Sequence, residues 1–283
     1  MKKLLLITIG LFFSMVLLQA QNDNMYIIKS GNIVGQYETA DVDSIIFYDS
    51  GLKQAIPFTD ARDGNLYQTT LIGNQVWMAE NLRYLPSVVS STTVSNSTPY
   101  HYVYDYFGTT VADAKATKNY NTYGVLYNWS AAMAGAASSE TNPSGIQGVC
   151  PVGWHLPSNA ECIELKNYLI ANGYNYNGST VDNKIAKSMT SIINWDADIT
   201  FAGIVGNADY PEYRNKSGFT AIPSGYCSSS GFQNMGFGYY FWCSTESTIN
   251  TKAWYWVIYT DQTDFDYFGK NKDYGHSVRC VKN

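Results

Sequence analysis

The chain has 283 residues, a formal net charge of -5, and charged side chains at 14% of positions against 15% aromatic. Mild acidity argues against a nucleic-acid partner, which would want a basic patch. Its length suits one domain of roughly 200 residues preceded by a small piece, ample to bury a core.

The first twenty residues, MKKLLLITIGLFFSMVLLQA, have the layout of a secretory signal. Lys2 and Lys3 form a basic start, Leu4 to Leu18 an apolar run, and Ala20 a small residue for cleavage. That run is about 15 residues, short of the ~20 that span a bilayer. No cysteine stands at the cleavage point to carry a lipid anchor. No later segment is apolar enough to span, so the chain is expected to be secreted or held in the cell envelope, in the periplasm or on the outer surface. Losing residues 1–20 removes two lysines and no acids, which takes the net charge to about -7.

Residues 21–50 read as a small β module. MYIIKS and IVGQYE flank the turn pair Gly31-Asn32, and SIIFYD follows. Such a unit is too small to fold alone. Residues 51–57 read as a linker and 58–283 as the main domain. There LYQTTLI and QVWMAENL flank Gly73-Asn74, a second hairpin signal. The Ser/Thr/Val-rich stretch from Pro86 to Pro99 reads as an exposed loop. A short helix is expected over Tyr123–Gly135. A longer one follows Ser158: Ser158 and Glu161 form a capping box, Cys162, Leu165, Tyr168 and Leu169 recur at helical spacing, and Gly173 suits the C′ position. A further helix is read over Val181–Met189.

From Gly218 on the pattern turns to strands. GFTAIPSGY, YYFWCST, AWYWVIYT, FDYFG and HSVRCVK are five candidates rich in β-branched and aromatic residues. In AWYWVIYT, Trp254, Trp256 and Ile258 fall on one face and Tyr255, Val257 and Tyr259 on the other. Tyr and Trp offer large contact area at low entropy cost, and Ser, Asn and Gly adaptable hydrogen bonds; aromatic faces also suit sugar rings. Trp242, Trp254 and Phe265 are assigned to the core. Tyr239, Tyr255, Val257, Tyr259, Asp261, Asp264, Asp266, Tyr267 and Asn271 are assigned to an exposed binding face.

Catalytic and metal chemistry find little support. His101, His155 and His276 have no base–orienter partner that can be named, and His155 reads as ordering the turn before the helix. No serine stands in a nucleophile elbow. Asn194-Trp195-Asp196 and the acids Asp261, Asp264 and Asp266 lack the loop and spacing of a calcium cage, and the acids read as a solvated rim. No cofactor is expected. Five cysteines, Cys150, Cys162, Cys227, Cys243 and Cys280, leave at least one thiol unpaired, and no CxxC spacing suggests zinc.

GVCPVGWHLPSNAE, SGFTAIPSGY, the FW-STE run, AWYW and YGHSVRCVK together resemble the Fibrobacter succinogenes major paralogous domain family, from about Phe58 to Val281. Its members are exported proteins of Bacteroidetes and Fibrobacteres. The resemblance implies an α+β domain of C-type-lectin-like fold, with a twisted antiparallel sheet, two flanking helices and chain ends on neighbouring strands. It implies a Cys150–Cys280 disulfide. Cys227 and Cys243 depart from the family pattern together, which suggests a second bridge; Cys162 replaces a family Trp and reads as a buried free thiol. His276 stands where an aromatic is usual.

The function expected is non-enzymatic binding of a protein or glycan at the cell surface through the C-terminal strands. One alternative is an oxidoreductase like the formylglycine-generating enzymes, using Cys227 and Cys243. Another is a structural envelope protein.

Overall fold

The computed structural model describes residues 24–29, 32–38 and 55–283. Residues 1–20, read above as an export signal, Gly31 and the SIIFYD stretch lie outside the described residues. The chain divides into two compact units, residues 1–52 and 53–283. In the first, β1 (Asn24–Lys29) and β2 (Asn32–Glu38) pair antiparallel, with Lys29 opposite Asn32.

The second unit is α+β with more strand than helix. It opens with β3 (Phe58–Thr59), β4 (Leu66–Tyr67), β5 (Thr69–Ile72), β6 (Gln75–Met78) and β7 (His101–Tyr102). Two short helices, α1 (Val111–Lys115) and α2 (Lys118–Tyr123), lead to β8 (Leu126–Tyr127), α3 (Trp129–Met133) and β9 (Trp154–His155). Then come α4 (Asn159–Ala171), α5 (Ala186–Met189), β10 (Ser224–Ser228), β11 (Gly231–Met235), β12 (Gly238–Glu246), β13 (Lys252–Tyr259), β14 (Asp266–Asn271) and β15 (Val281–Lys282). No described helix is long and apolar enough to cross a membrane.

Local chemistry explains the best-formed elements. At the β5–β6 hairpin Ile72 pairs with Gln75 across Gly73-Asn74. Gly73 takes φ +61°, and a side chain there would come within 2.9 Å of the Tyr168 ring, so both the turn and its packing require glycine. Helix α4 starts at a full capping box: Ser158 Oγ accepts from the Glu161 amide at 3.2 Å, and Glu161 Oε2 accepts from the Ser158 amide at 2.9 Å. Gly173, at φ +72°, follows its C-cap. Its buried face carries Cys162, Leu165 and Leu169, whereas Tyr168 turns outward and stays exposed.

Other elements are shorter than their sequence patterns. The helix read over Tyr123–Gly135 is only Trp129–Met133, because Leu126–Tyr127 pairs with His101–Tyr102 as a strand and Asn128 caps the helix by accepting from Ala131. The Val181–Met189 helix shrinks to Ala186–Met189. Among the described residues α4 alone exceeds six residues, so the expected pair of flanking helices reduces to one long helix.

Two sheets dominate: the four-stranded β5-β6-β15-β9 and the three-stranded β12-β13-β14, antiparallel throughout. The segment 275–281 joins them. Gly275 bridges Cys227, His276 bridges Tyr127, Ser277 bridges Phe241, and Val281 pairs with both Trp77 and His155. A stretch that reads as one strand therefore hydrogen-bonds a different partner at almost every residue, which is why only Val281–Lys282 is regular. The Cys150–Cys280 disulfide, 130 residues apart in sequence, fastens this segment to the loop before β9. In the chain-entropy model a closure of that length contributes about 4–5 kcal/mol.

The β12-β13-β14 sheet is covered on both faces. Tyr239, Phe241, Cys243, Trp256 and Ile258 join a core with α4 and Trp77. Tyr240, Trp242, Tyr255 and Val257 join another with Tyr127, Trp129 and the disulfide. Two-sided burial makes a strand read as an unbroken apolar run, as GYYFWCST does.

Candidate functional site

The alternation read in AWYWVIYT is present. Trp254, Trp256 and Ile258 pack toward one core, and Tyr255, Val257 and Tyr259 toward the other. Exposure of the second set holds at one end of the sheet alone.

At the inner end the tyrosines are interior. Tyr255 is 6% exposed and stacks on His276 at 4.9 Å between ring centroids; Tyr240 stacks on the same imidazole at 5.6 Å, and Trp242 lies 4.5 Å away. His276 is buried, and burial, with the nearby Lys270 charge adding, holds its pKa well below the usual histidine value. It remains neutral and serves as one more flat ring, as the aromatic expected at this position would. Tyr255 is thus core, correcting its assignment to the exposed face. Tyr239 is corrected likewise. It is fully buried beside Arg279, whose guanidinium lies 5.2 Å over its ring and 4.3 Å over Phe219. Arg279 reaches the Phe219 carbonyl and, at 3.0 Å, Asn81 Oδ1. Tyr267 lies on the opposite face, 4.8 Å from Trp256 and 5.2 Å from Trp254. Asn271 is exposed but pairs with Lys252, at the far end of β13 from the residues described next.

At the outer end of the same sheet face lies a recess of about 320 Å³. Val257 and Tyr259 of β13 line it, with Asp266 and Phe268 of β14, Asp261, Gln262 and Asp264 of the connecting loop, and Phe237 just before β12. Five assigned residues meet here: Val257, Tyr259, Asp261, Asp264 and Asp266. Val257 is buried beneath the recess, which corrects its assignment to an exposed face, while Phe268 is 49% exposed. Phe237 packs 5.7 Å from Tyr259, which in turn meets Tyr240 edge-on at 5.8 Å. The recess is therefore built directly on the aromatic cluster around His276.

Electrostatics mark the loop. Burial first, then repulsion from Asp266 and Asp261, pushes the Asp264 carboxyl above the usual carboxylate range. Asp266 is offset by Lys166, 3.9 Å away on α4. Burial also raises the Tyr259 phenol, and the charges of Asp261 and Asp264 add to it while hydrogen bonds with Tyr255 and Tyr240 oppose it. The lining thus offers carboxylate and amide acceptors, a phenol and exposed ring faces. It contains no Ser, Cys, His or Lys. Phe237, Gln262 and Phe268 escaped the sequence reading. The signal for Phe268 was there: in DYFG, Asp266 and Phe268 share a face by strand alternation, with Tyr267 opposite.

The remaining candidates are structural. His155 donates or accepts at both ring nitrogens, 2.7 Å from Glu161 Oε1 and 2.7 Å from Asn283 Oδ1, so it ties the α4 start to Asn283, the residue after β15. His101 is buried with Ser87 Oγ at 3.1 Å, and burial pushes it down to about 4. Cys227 and Cys243 are not bridged. Cys243 belongs to the core shared with α4, whereas Cys227 packs with Tyr102 and Leu126 in a separate cluster. Burial pushes the Cys227 thiol up to about 12, away from the thiolate a redox centre needs. Neither the second bridge nor a reactive Cys227–Cys243 pair is assembled.

A family model described as the Fibrobacter succinogenes major domain matches residues 71–282. No curated protein and no solved structure matches the chain.

Proposed function

The chain belongs to the Fibrobacter succinogenes major domain family, and from that premise we propose that it is an exported, non-enzymatic binding protein whose ligand docks in the recess at the outer end of β12-β13-β14. Its domain is read as C-type-lectin-like. Support for this comes from β15 lying between β6 and β9, which sets the last strand beside an early hairpin. Export, to the periplasm or the outer surface, rests on the signal-like residues 1–20.

The ligand is a hydroxyl-rich ring of glycan type. One observation carries this reading: Phe268, Tyr259 and Phe237 present aromatic surface in the same recess where Asp261, Asp264, Asp266 and Gln262 converge. A sugar has an apolar face to stack on a ring and hydroxyls at its edge to donate to carboxylates. The recess of about 320 Å³ lies at the small end of ligand pockets, so it suits one ring of a longer chain. In this reading the carboxylates of the recess serve as hydrogen-bond acceptors for ligand hydroxyls, and the ligand is held without turnover.

The test is binding of the mature protein to an immobilised glycan array, with free saccharide as competitor. Saturable, competed binding to a subset of glycans is expected. No glycan binding, together with capture of a surface protein that maps to the same recess, would replace the glycan by a protein ligand.

A further inference from the structure

Three thiols are unbridged in this structure, Cys162, Cys227 and Cys243, and all three are buried. They are not equivalent. Cys162 sits one turn into α4, on the face that packs against β12. Cys243 lies on β12, on the face with Tyr239 and Phe241. The two thiols share one buried cluster and lie near enough for each to act on the other electrostatically. Cys227 lies apart, in the cluster of Tyr102 and Leu126.

The backbone around this pair is pinned from three directions. The Ser244 amide donates to the Pro157 carbonyl at 2.9 Å, just before α4. The Asn159 amide donates to Thr245 Oγ1 at 3.0 Å, and Trp256 Nε1 donates to Asn159 Oδ1 at 2.9 Å. The first turn of α4 is thus hydrogen-bonded to both β12 and β13, and Cys162 and Cys243 are buried in the one cluster at that seam. A sulfur–sulfur bond needs its two cysteines held on backbones at a suitable separation, and an S–S distance of about 2 Å. Here the backbones are held by independent hydrogen bonds, and the two sulfurs are neighbours in one buried cluster.

We propose that Cys162 and Cys243 form a second disulfide when the chain folds in the presence of a disulfide oxidant, which leaves Cys227 as the one free thiol. The chemistry is thiol–disulfide exchange. The thiolate of one cysteine attacks a sulfur of the oxidant disulfide, forms a mixed disulfide and releases one oxidant thiolate. The thiolate of the second cysteine then attacks the protein sulfur of that mixed disulfide, forms the Cys162–Cys243 bond and releases the other. Two protein thiols lose two electrons and two protons; one oxidant disulfide becomes two thiols.

Timing follows from burial. In the folded chain burial drives the Cys162 thiol well above its usual pKa, and the neighbouring Cys243 thiol adds to this. The thiolate is scarce there and no oxidant reaches it. The exchange belongs to folding, before α4 seats on the sheet. Once formed, the bond is shielded from reductants for the same reason. It fastens α4 to β12 as Cys150–Cys280 fastens the loop before β9 to the C-terminal segment. The two bonds then lie in different cores, one on each face of the β12-β13-β14 sheet.

The test is disulfide mapping by mass spectrometry on the full chain. Reduced, denatured protein is refolded in buffer containing oxidised glutathione, alkylated while unfolded without reductant, and digested. The expected result is a linked peptide pair holding Cys162 and Cys243, a second pair holding Cys150 and Cys280, and alkylation at Cys227 alone. In Cys243→Ser, alkylation appears at Cys162 as well. The same mapping on protein taken directly from an oxidising compartment removes dependence on refolding. Alkylation of Cys162, Cys227 and Cys243 together in that sample, or a bond from Cys227 to either, overturns the proposal.

Discussion

The two ends of one sheet face, built from the same alternating pattern, have opposite fates. At the inner end Tyr240, Trp242 and Tyr255 close on His276, and the segment 275–281 passes over them. At the outer end Val257, Tyr259 and Phe268 line an open recess with three aspartates. Aromatic residues are core where chain crosses them and contact surface where the strands run past that chain. The distinction lies in tertiary cover, not in residue type. The recess floor rests on the packed cluster behind it, through Tyr259 and Tyr240.

The comparison breaks most visibly if a core ring is removed. Trp256→Ala, on the fully covered opposite face, is expected to cost about 3–5 kcal/mol. Denaturant unfolding checks this, and a loss below 1 kcal/mol would mean the second face is not a tight core. Next in size is Cys150→Ala/Cys280→Ala, which frees the segment that covers the inner end. A loss of about 2–5 kcal/mol is expected, and calorimetry of the double variant against wild type measures it.

Smaller, and specific to the inner end, is a pH effect. The pKa of His276 is depressed on folding, so the unfolded state takes up a proton first as pH falls. Its contribution is complete above the unfolded value near 6.5 and is lost as pH drops below it, by up to about 1.4 kcal/mol per pH unit. His101, pushed down to about 4, adds a slope of the same sign. His276→Phe keeps a flat ring and is expected to remove one of these two slopes between pH 6.5 and 5. Urea titrations at several pH values decide it; an unchanged slope would place the imidazole in contact with water.

Much of the scaffold was legible in the sequence. Gly73-Asn74 and the Ser158–Glu161 capping box are local devices, and local chemistry sets them. The strand alternation of Trp254 to Tyr259 was legible too, since it needs only the two-residue period. What could not be read was which face is covered, and where. Tyr239 and Tyr255 resemble Tyr259 in composition and neighbourhood, yet they are interior because Arg279 and His276 come from a segment more than fifteen residues downstream. The nearness of Cys162 to Cys243 was hidden for the same reason. Spacing does not report that α4 docks on β12. HSVRCVK reads as a strand, but its hydrogen bonds are divided among four others.

At the outer end the expected changes in stability are smallest and those in binding largest. Asp264→Asn relieves a half-buried carboxylate repelled by two neighbours, so stability is expected to stay level or rise by a few tenths of a kcal/mol. The most direct test of the recess as the binding site is a glycan-binding titration of wild type and Phe268→Ala, with the thermal midpoint of each sample measured alongside. The account predicts a loss of affinity of about tenfold or more, worth about 1.4 kcal/mol, with a midpoint within a few degrees of wild type. Equal affinity in the two proteins would contradict it.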